Sequence, residues 1–165
     1  MSLIIVSTII VITFDDMSIE HDIQQEKFTN EFDKAVVNIL FTGSWLHNLN
    51  TLRFKSHAIT PEQYNVLRIL RGSYPKSLML SEITARMIDK SSNCTRLVEK
   101  LRQKGFLKRE ICENNRRQVD IIITEKGLSL LRKIDTESER WLQTLKNISK
   151  AEAQELNRIL DKLRK

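Results

Sequence analysis

The side chains best suited to chemistry at a surface are concentrated between Ser91 and Arg117. Ser91, Ser92, Asn93 and Thr95 carry short hydroxyl and amide groups, Arg96 a planar fork of donors, and Lys100 a compact positive charge. Arg116 and Arg117 follow as a pair. Such groups hydrogen-bond to phosphate oxygens and base edges, and paired arginines suit phosphates in particular. The implied chemistry is recognition, not bond-making. No nucleophile–base motif, HExxH or Gly-rich phosphate loop occurs, and the chain has four glycines in all. No catalytic residue, metal ligand or cofactor is expected.

These residues need elements to position them. Within residues 91–105, Cys94, Leu97, Val98 and Leu101 recur at the i, i+3, i+4, i+7 spacing of one helical face. With that face inward, Ser92, Arg96, Glu99 and Gln103 point outward, with Thr95 and Lys100 on the flanks. Upstream, residues 80–87 (LSEITARM) read as a second short helix, and Ile88, Asp89 and Lys90 as the turn between them. Downstream, Gly105 can take a left-handed helix cap. A strand follows at 106–112, a polar basic turn at 113–118 and a second strand at 119–124, and Met79 or its neighbours supply a short third strand. Any solvated helix carries polar residues on its outer face. A helix-turn-helix followed by a hairpin with arginines at its tip is more specific, and it describes a winged helix.

The net charge of +6 and pI near 9.4 permit polyanionic partners. Location says more. Between Arg86 and Arg117 ten Lys or Arg face four acids, so this stretch alone holds an excess equal to that of the whole chain. The two cysteines, Cys94 and Cys112, have no metal spacing and read as packing thiols, which fits a reducing cytoplasm. His21, His47 and His57 lack a carboxylate at ligand spacing.

The 165 residues fit one domain with a sizeable core. Residues 1–16 form an apolar extension too short to span a bilayer, with no basic segment before it. Two readings stand open: codons read through ahead of a start at Met17, or a strand that tucks against a dimer. From 19 to 53 the pattern is helical, with a weak point at Gly43-Ser44. Thr60, Pro61 and Gln63 signal a helix start, and residues 73–77 a turn. Thr124 can cap a long helix with Leu128, Leu131, Ile134, Trp141, Leu142, Leu145 and Ile148 on its stripe. Ser149 and Glu152 form a capping box for a last helix with Leu156, Ile159, Leu160 and Leu163 on one face. The first and last helices carry apolar faces that a winged-helix core does not use.

The run LSEITARMIDKSSNCTRLVEKLRQKGFLKREICENNRRQVDIIITEKG resembles the DNA-binding core of the MarR family of bacterial transcription regulators. The resemblance is close from Thr60 to about Leu131, and the flanking helices match by layout. The most telling parts are SxxTRLVxxLxxKGxxxR from Ser92 to Arg109 and the wing running into Ile123-Thr124-Glu125-Lys126-Gly127. One departure is Asn115, which stands where the family usually has an Asp two residues before the wing arginine, Arg117. The resemblance implies a mainly α fold with a small β-hairpin wing. Its winged helix-turn-helix core (60–127) would be flanked by dimerisation helices (19–55 and 128–165) within a single domain (17–165). It implies a cytoplasmic homodimer that reads a pseudopalindromic double-stranded DNA site through Ser91, Ser92, Asn93, Thr95, Arg96, Lys100, Arg116 and Arg117. It also implies a small-molecule pocket near Trp45, Leu49 and Tyr64. A winged-helix module that binds an acidic protein surface is the alternative.

Overall fold

A computed structural model describes residues 18–112, 115–143 and 147–165, with side chains omitted at 111–119 and 139–140. The apolar stretch 1–16 and Leu145 lie outside the described residues. The order of elements is α1 (Ile19–Asp22), α2 (Glu31–Lys55), α3 (Pro61–Ser73), β1 (Leu78–Met79), α4 (Leu80–Arg86), α5 (Cys94–Gln103), β2 (Leu107–Cys112), β3 (Asn115–Ile123), α6 (Glu125–Gln143) and α7 (Lys150–Leu163). The fold is mainly α with one three-stranded antiparallel sheet of order β1-β3-β2. Contacts divide the chain into two units, Met1–Asn48 and Leu49–Lys165.

In the first unit the helix expected from 19 onward is interrupted after Asp22. Residues 23–27 offer one apolar side chain, too few to hold a helix against a core. Asn30 then starts a new helix, its Oδ1 accepting from the backbone of Phe32 at 2.9 Å and Asp33 at 3.0 Å. Glu20 and Lys34 pair at 2.5 Å. The weak point at Gly43 leaves no break, and α2 runs through it. Phe32, Val36, Leu40 and Trp45 are exposed.

The second unit holds the hydrophobic core. Val66, Leu67 and Leu70 of α3, Ile83 of α4, Val98 and Leu101 of α5, Leu107 of β2, Ile121 and Ile123 of β3, and Leu131 and Ile134 of α6 are buried together with Phe54. Each such side chain contributes about 1.5–3 kcal/mol by leaving water. The α3 start is as expected: Thr60 Oγ1 accepts from Gln63 N at 3.3 Å while Gln63 Oε1 accepts from Thr60 N at 3.2 Å. Ser149 and Glu152 make the same box on α7. No residue of α7 is buried, and Leu156, Ile159 and Leu163 are exposed.

The wing differs from expectation in length. β3 begins at Asn115, so Arg116, Arg117 and Gln118 belong to the strand and not to a turn. The length of a hairpin strand follows its partner more than its own polarity, and β2 continues to Cys112, which pairs with Asn115 after a shift in register beyond Ile111. β1 pairs with β3 through Leu78–Ile121 and Met79–Asp120, which supplies the expected third strand.

Candidate nucleic-acid interface

α5 and the turn before it set the geometry. Its inward stripe is as the spacing indicates, with Cys94, Val98 and Leu101 buried and Leu97 half-buried. Gly105 (φ +74°) closes the helix: Phe106 N donates to Leu101 O at 3.0 Å and Gly105 N to Arg102 O at 2.8 Å. That pair of bonds is a Schellman motif, and it satisfies two carbonyls that the helix end leaves over. Thr124 Oγ1 donates to Gly105 O at 2.7 Å, Lys126 Nζ to Lys104 O at 2.8 Å, and Thr124 N to Phe106 O at 3.0 Å. The far end of α5 is therefore tied to the start of α6.

At the near end, α5 begins at Cys94, so Ser91 and Ser92 lie in the turn and not on the helix. Asn93 is the N-cap, its Oδ1 accepting from Arg96 N at 3.0 Å. A short polar side chain with a free oxygen stops the helix from extending further back. Asp89 organises what precedes it, accepting from Ser91 N at 2.9 Å, Ser91 Oγ at 2.6 Å and Ser92 Oγ at 2.8 Å. Three of the expected contact residues thus also build the turn. Sequence reasoning missed the role of Asp89, although an Asp bonding to the backbone two residues on is a recognised turn signal.

The basic side chains separate into engaged and free. Arg102 makes a fork on Glu99, with Nε at 3.1 Å and an Nη at 2.8 Å, and Arg109 of β2 approaches the same carboxylate at 3.5 Å. The Arg102 hydrogen bonds hold the Glu99 carboxyl below its ordinary range. Lys108 pairs with Glu110, Lys90 donates to Ala85 O, Lys104 to Ala58 O, and Arg86 to Ser73 Oγ at 3.0 Å. Among the described residues Arg96 and Lys100 are exposed and their side chains have no hydrogen-bond or ion-pair partner. Thr95 is exposed beside Arg96. Arg116 and Arg117 follow one another in β3, and their side chains lie outside the described residues.

The arrangement is a polar, cationic helix start presented by a turn, with a hairpin downstream. Residues 59–119 match the model of the MarR family. Over those residues the chain is similar to the MarR family. Among curated relatives it is 35% identical over 80 residues to the HTH-type transcriptional regulator YkoM of Bacillus subtilis (strain 168), a match covering 48% of this chain and 51% of that one. It is 28% identical over 119 residues to the transcriptional repressor MprA of Escherichia coli (strain K12), covering 72% of this chain and 67% of that one. The matched segments thus span about half and about two thirds of those relatives. The fold is that of the S. aureus MepR–DNA complex, with a TM-score of 0.69, 19% identity, and coverage of 83% of this chain and 97% of that one.

Of the residues that the MarR resemblance assigned to a ligand pocket, Trp45 is in the first unit and exposed. Leu49 and Tyr64 are in the second, both half-buried, with Tyr64 stacked on Phe54 at 4.3 Å between ring centroids. Cys94 is a buried free thiol. No described helix is long and apolar enough to cross a membrane.

Proposed function

We propose that this chain is a homodimeric regulator that reads double-stranded DNA with α5. The carrying observation is Arg96: it stands in the first turn of the second helix of a helix-turn-helix, exposed, with its guanidinium unclaimed by any described carboxylate. A guanidinium there can grip a guanine edge, while Ser91, Ser92, Asn93, Thr95 and Lys100 reach phosphates and neighbouring edges. Arg116 and Arg117 on β3 would lie against the backbone or the adjacent minor groove. MepR, which shares the fold, is seen in complex with DNA, and this supports the same use here. Dimerisation is supported by two exposed apolar stripes, Phe32, Val36 and Leu40 on α2 and Leu156, Ile159 and Leu163 on α7. A two-fold dimer calls for a pseudopalindromic operator with half-sites roughly 10 bp apart. A small-molecule effector belongs to the same reading.

The test selects bound sites from random DNA, then measures Arg96→Ala and Arg117→Ala on selected and scrambled duplexes across a salt series. Arg96→Ala should lose about 1–3 kcal/mol on the selected site and much less on scrambled DNA. Arg117→Ala should weaken both alike and lower the salt slope by about one unit. Selection without symmetry, or Arg96→Ala that loses both duplexes equally, would defeat the reading. Absence of any selected DNA would favour an acidic protein surface as the partner.

A further inference from the structure

Asp89 fixes more than the shape of the turn before α5. Its Oδ1 accepts from Ser91 N at 2.9 Å and from Ser91 Oγ at 2.6 Å, and its Oδ2 accepts from Ser92 Oγ at 2.8 Å. A carboxylate accepts and does not donate, and a serine hydroxyl holds one hydrogen beside two lone pairs. Both hydroxyl hydrogens are therefore committed to Asp89, and what Ser91 and Ser92 can offer to anything outside the chain is lone pairs. Ser91 is exposed and Ser92 half-buried, so neither is sealed off from a partner.

The opposite polarity begins at the next residue. Asn93 spends its Oδ1 on Arg96 N, which leaves its amide hydrogens to give, and the Arg96 guanidinium carries donors and no acceptor. The start of α5 thus sorts into two acceptors followed by donors. A phosphate oxygen has no hydrogen to donate, and a phosphate brought to Ser91 and Ser92 would meet the like charge of Asp89. In the major groove the groups that donate are N4 of cytosine and N6 of adenine, while guanine O6 and thymine O4 accept.

We propose that Asp89 is a positioning residue that sets base specificity: by holding Ser91 and Ser92 as acceptors, it makes them select adenine or cytosine and reject guanine and thymine. This rests on the reading of α5 as the element that meets DNA, and it makes the two serines base contacts in place of backbone anchors.

Asp89→Asn tests the idea with almost no change in shape. The backbone N–H of Ser91 can only donate, so the new amide oxygen stays on the Ser91 side and the amide nitrogen falls beside Ser92 Oγ. That nitrogen donates to the hydroxyl, whose own hydrogen then turns outward, and Ser92 changes from acceptor to donor. Sites are selected from random DNA by the full chain as wild type, Asp89→Asn and Ser92→Ala, each checked for folding by thermal unfolding. Wild type should fix adenine or cytosine at a position that Asp89→Asn changes to guanine or thymine and Ser92→Ala leaves open, with the Arg96 position unchanged in all three. Replacing that adenine by purine, or that cytosine by pyrimidin-2-one, removes the amino group. It should weaken wild type by roughly two- to tenfold, the worth of one hydrogen bond, and leave Ser92→Ala unaffected. The amino-free duplexes and Ser92→Ala decide the matter even where Asp89→Asn does not fold. A merely structural Asp89 would lower affinity for every duplex alike without moving the preference. That result, or equal binding of the amino-free duplex by wild type, would overturn the proposal and leave α5 as the DNA-reading element. Failure of all three proteins to select any DNA would overturn both.

Discussion

Gly127 sits in the first turn of α6, where a Cβ would stand 2.3 Å from the carbonyl oxygen of Phe106 and 2.7 Å from Cγ1 of Ile123. To accept alanine, the Phe106 carbonyl would have to retreat by about 0.7 Å, the kind of shift that overpacking forces. That oxygen accepts from Thr124 N at 3.0 Å, and Ile123 is buried, so neither neighbour is free to yield. Overpacking costs about 1–3 kcal/mol and a weakened hydrogen bond about 0.5–1.5 kcal/mol. Better helix propensity returns at most about 1 kcal/mol. Gly127→Ala should therefore destabilise by about 1–3 kcal/mol, a fall in Tm of roughly 2–10 °C for a chain of this size. Gly43→Ala is the matched control, because a Cβ there meets nothing within 4 Å. It should stabilise by up to about 1 kcal/mol. Urea unfolding at fixed protein concentration reads both, since association shifts apparent stability. A Gly127→Ala protein as stable as Gly43→Ala would refute the reasoning that space, and not backbone conformation, demands glycine here.

Asn93→Ala should lose about 1 kcal/mol of stability with the α5 cap. Asn93→Asp should keep the cap yet weaken DNA binding by adding a negative charge at the groove end, and equal DNA affinity for Asp and Asn would contradict the placement. Glu99, held below the ordinary glutamate value of 4.5 by Arg102, contributes stability that is present above that value and lost as pH falls through its lowered one. Glu99→Gln should flatten the stability profile below pH 4.5, and an unchanged acid limb would show that the clamp is idle. Deleting residues 149–165 removes a helix with no buried residue. Ultracentrifugation should find a folded monomer in place of a dimer, and a truncated dimer would move the interface elsewhere.

The sequence made the core legible wherever a periodic apolar stripe met a strong local stop. Thr60-Pro61 and Ser149 started helices where expected, and Gly105 ended α5 where the chain needs positive φ. Local signals that compete were harder to rank. Asn30 and Asn93 each start a helix later than the apolar pattern suggests, because a cap binds the backbone regardless of hydrophobic phase. β3 begins earlier than its polarity suggests, because pairing with β2 is a long-range constraint that no local window contains. Within the site, residue types identified Arg96 and Lys100, but only the fold shows Glu99 occupying Arg102 and approaching Arg109.

The tie between the end of α5 and the start of α6 makes α5 a lever. Gly105, Lys104 and Phe106 are bonded to Thr124 and Lys126, so that end is a pivot, while the Asn93 end is held by the turn that Asp89 organises. With ten residues, α5 is about 15 Å long. A rotation of about 10° about the pivot would swing its Asn93 tip by roughly 2.6 Å, more than a hydrogen bond from that tip tolerates. Whatever tilts α6 would therefore act on Arg96 from a distance, with no change in the contacts that Arg96 itself makes within the chain.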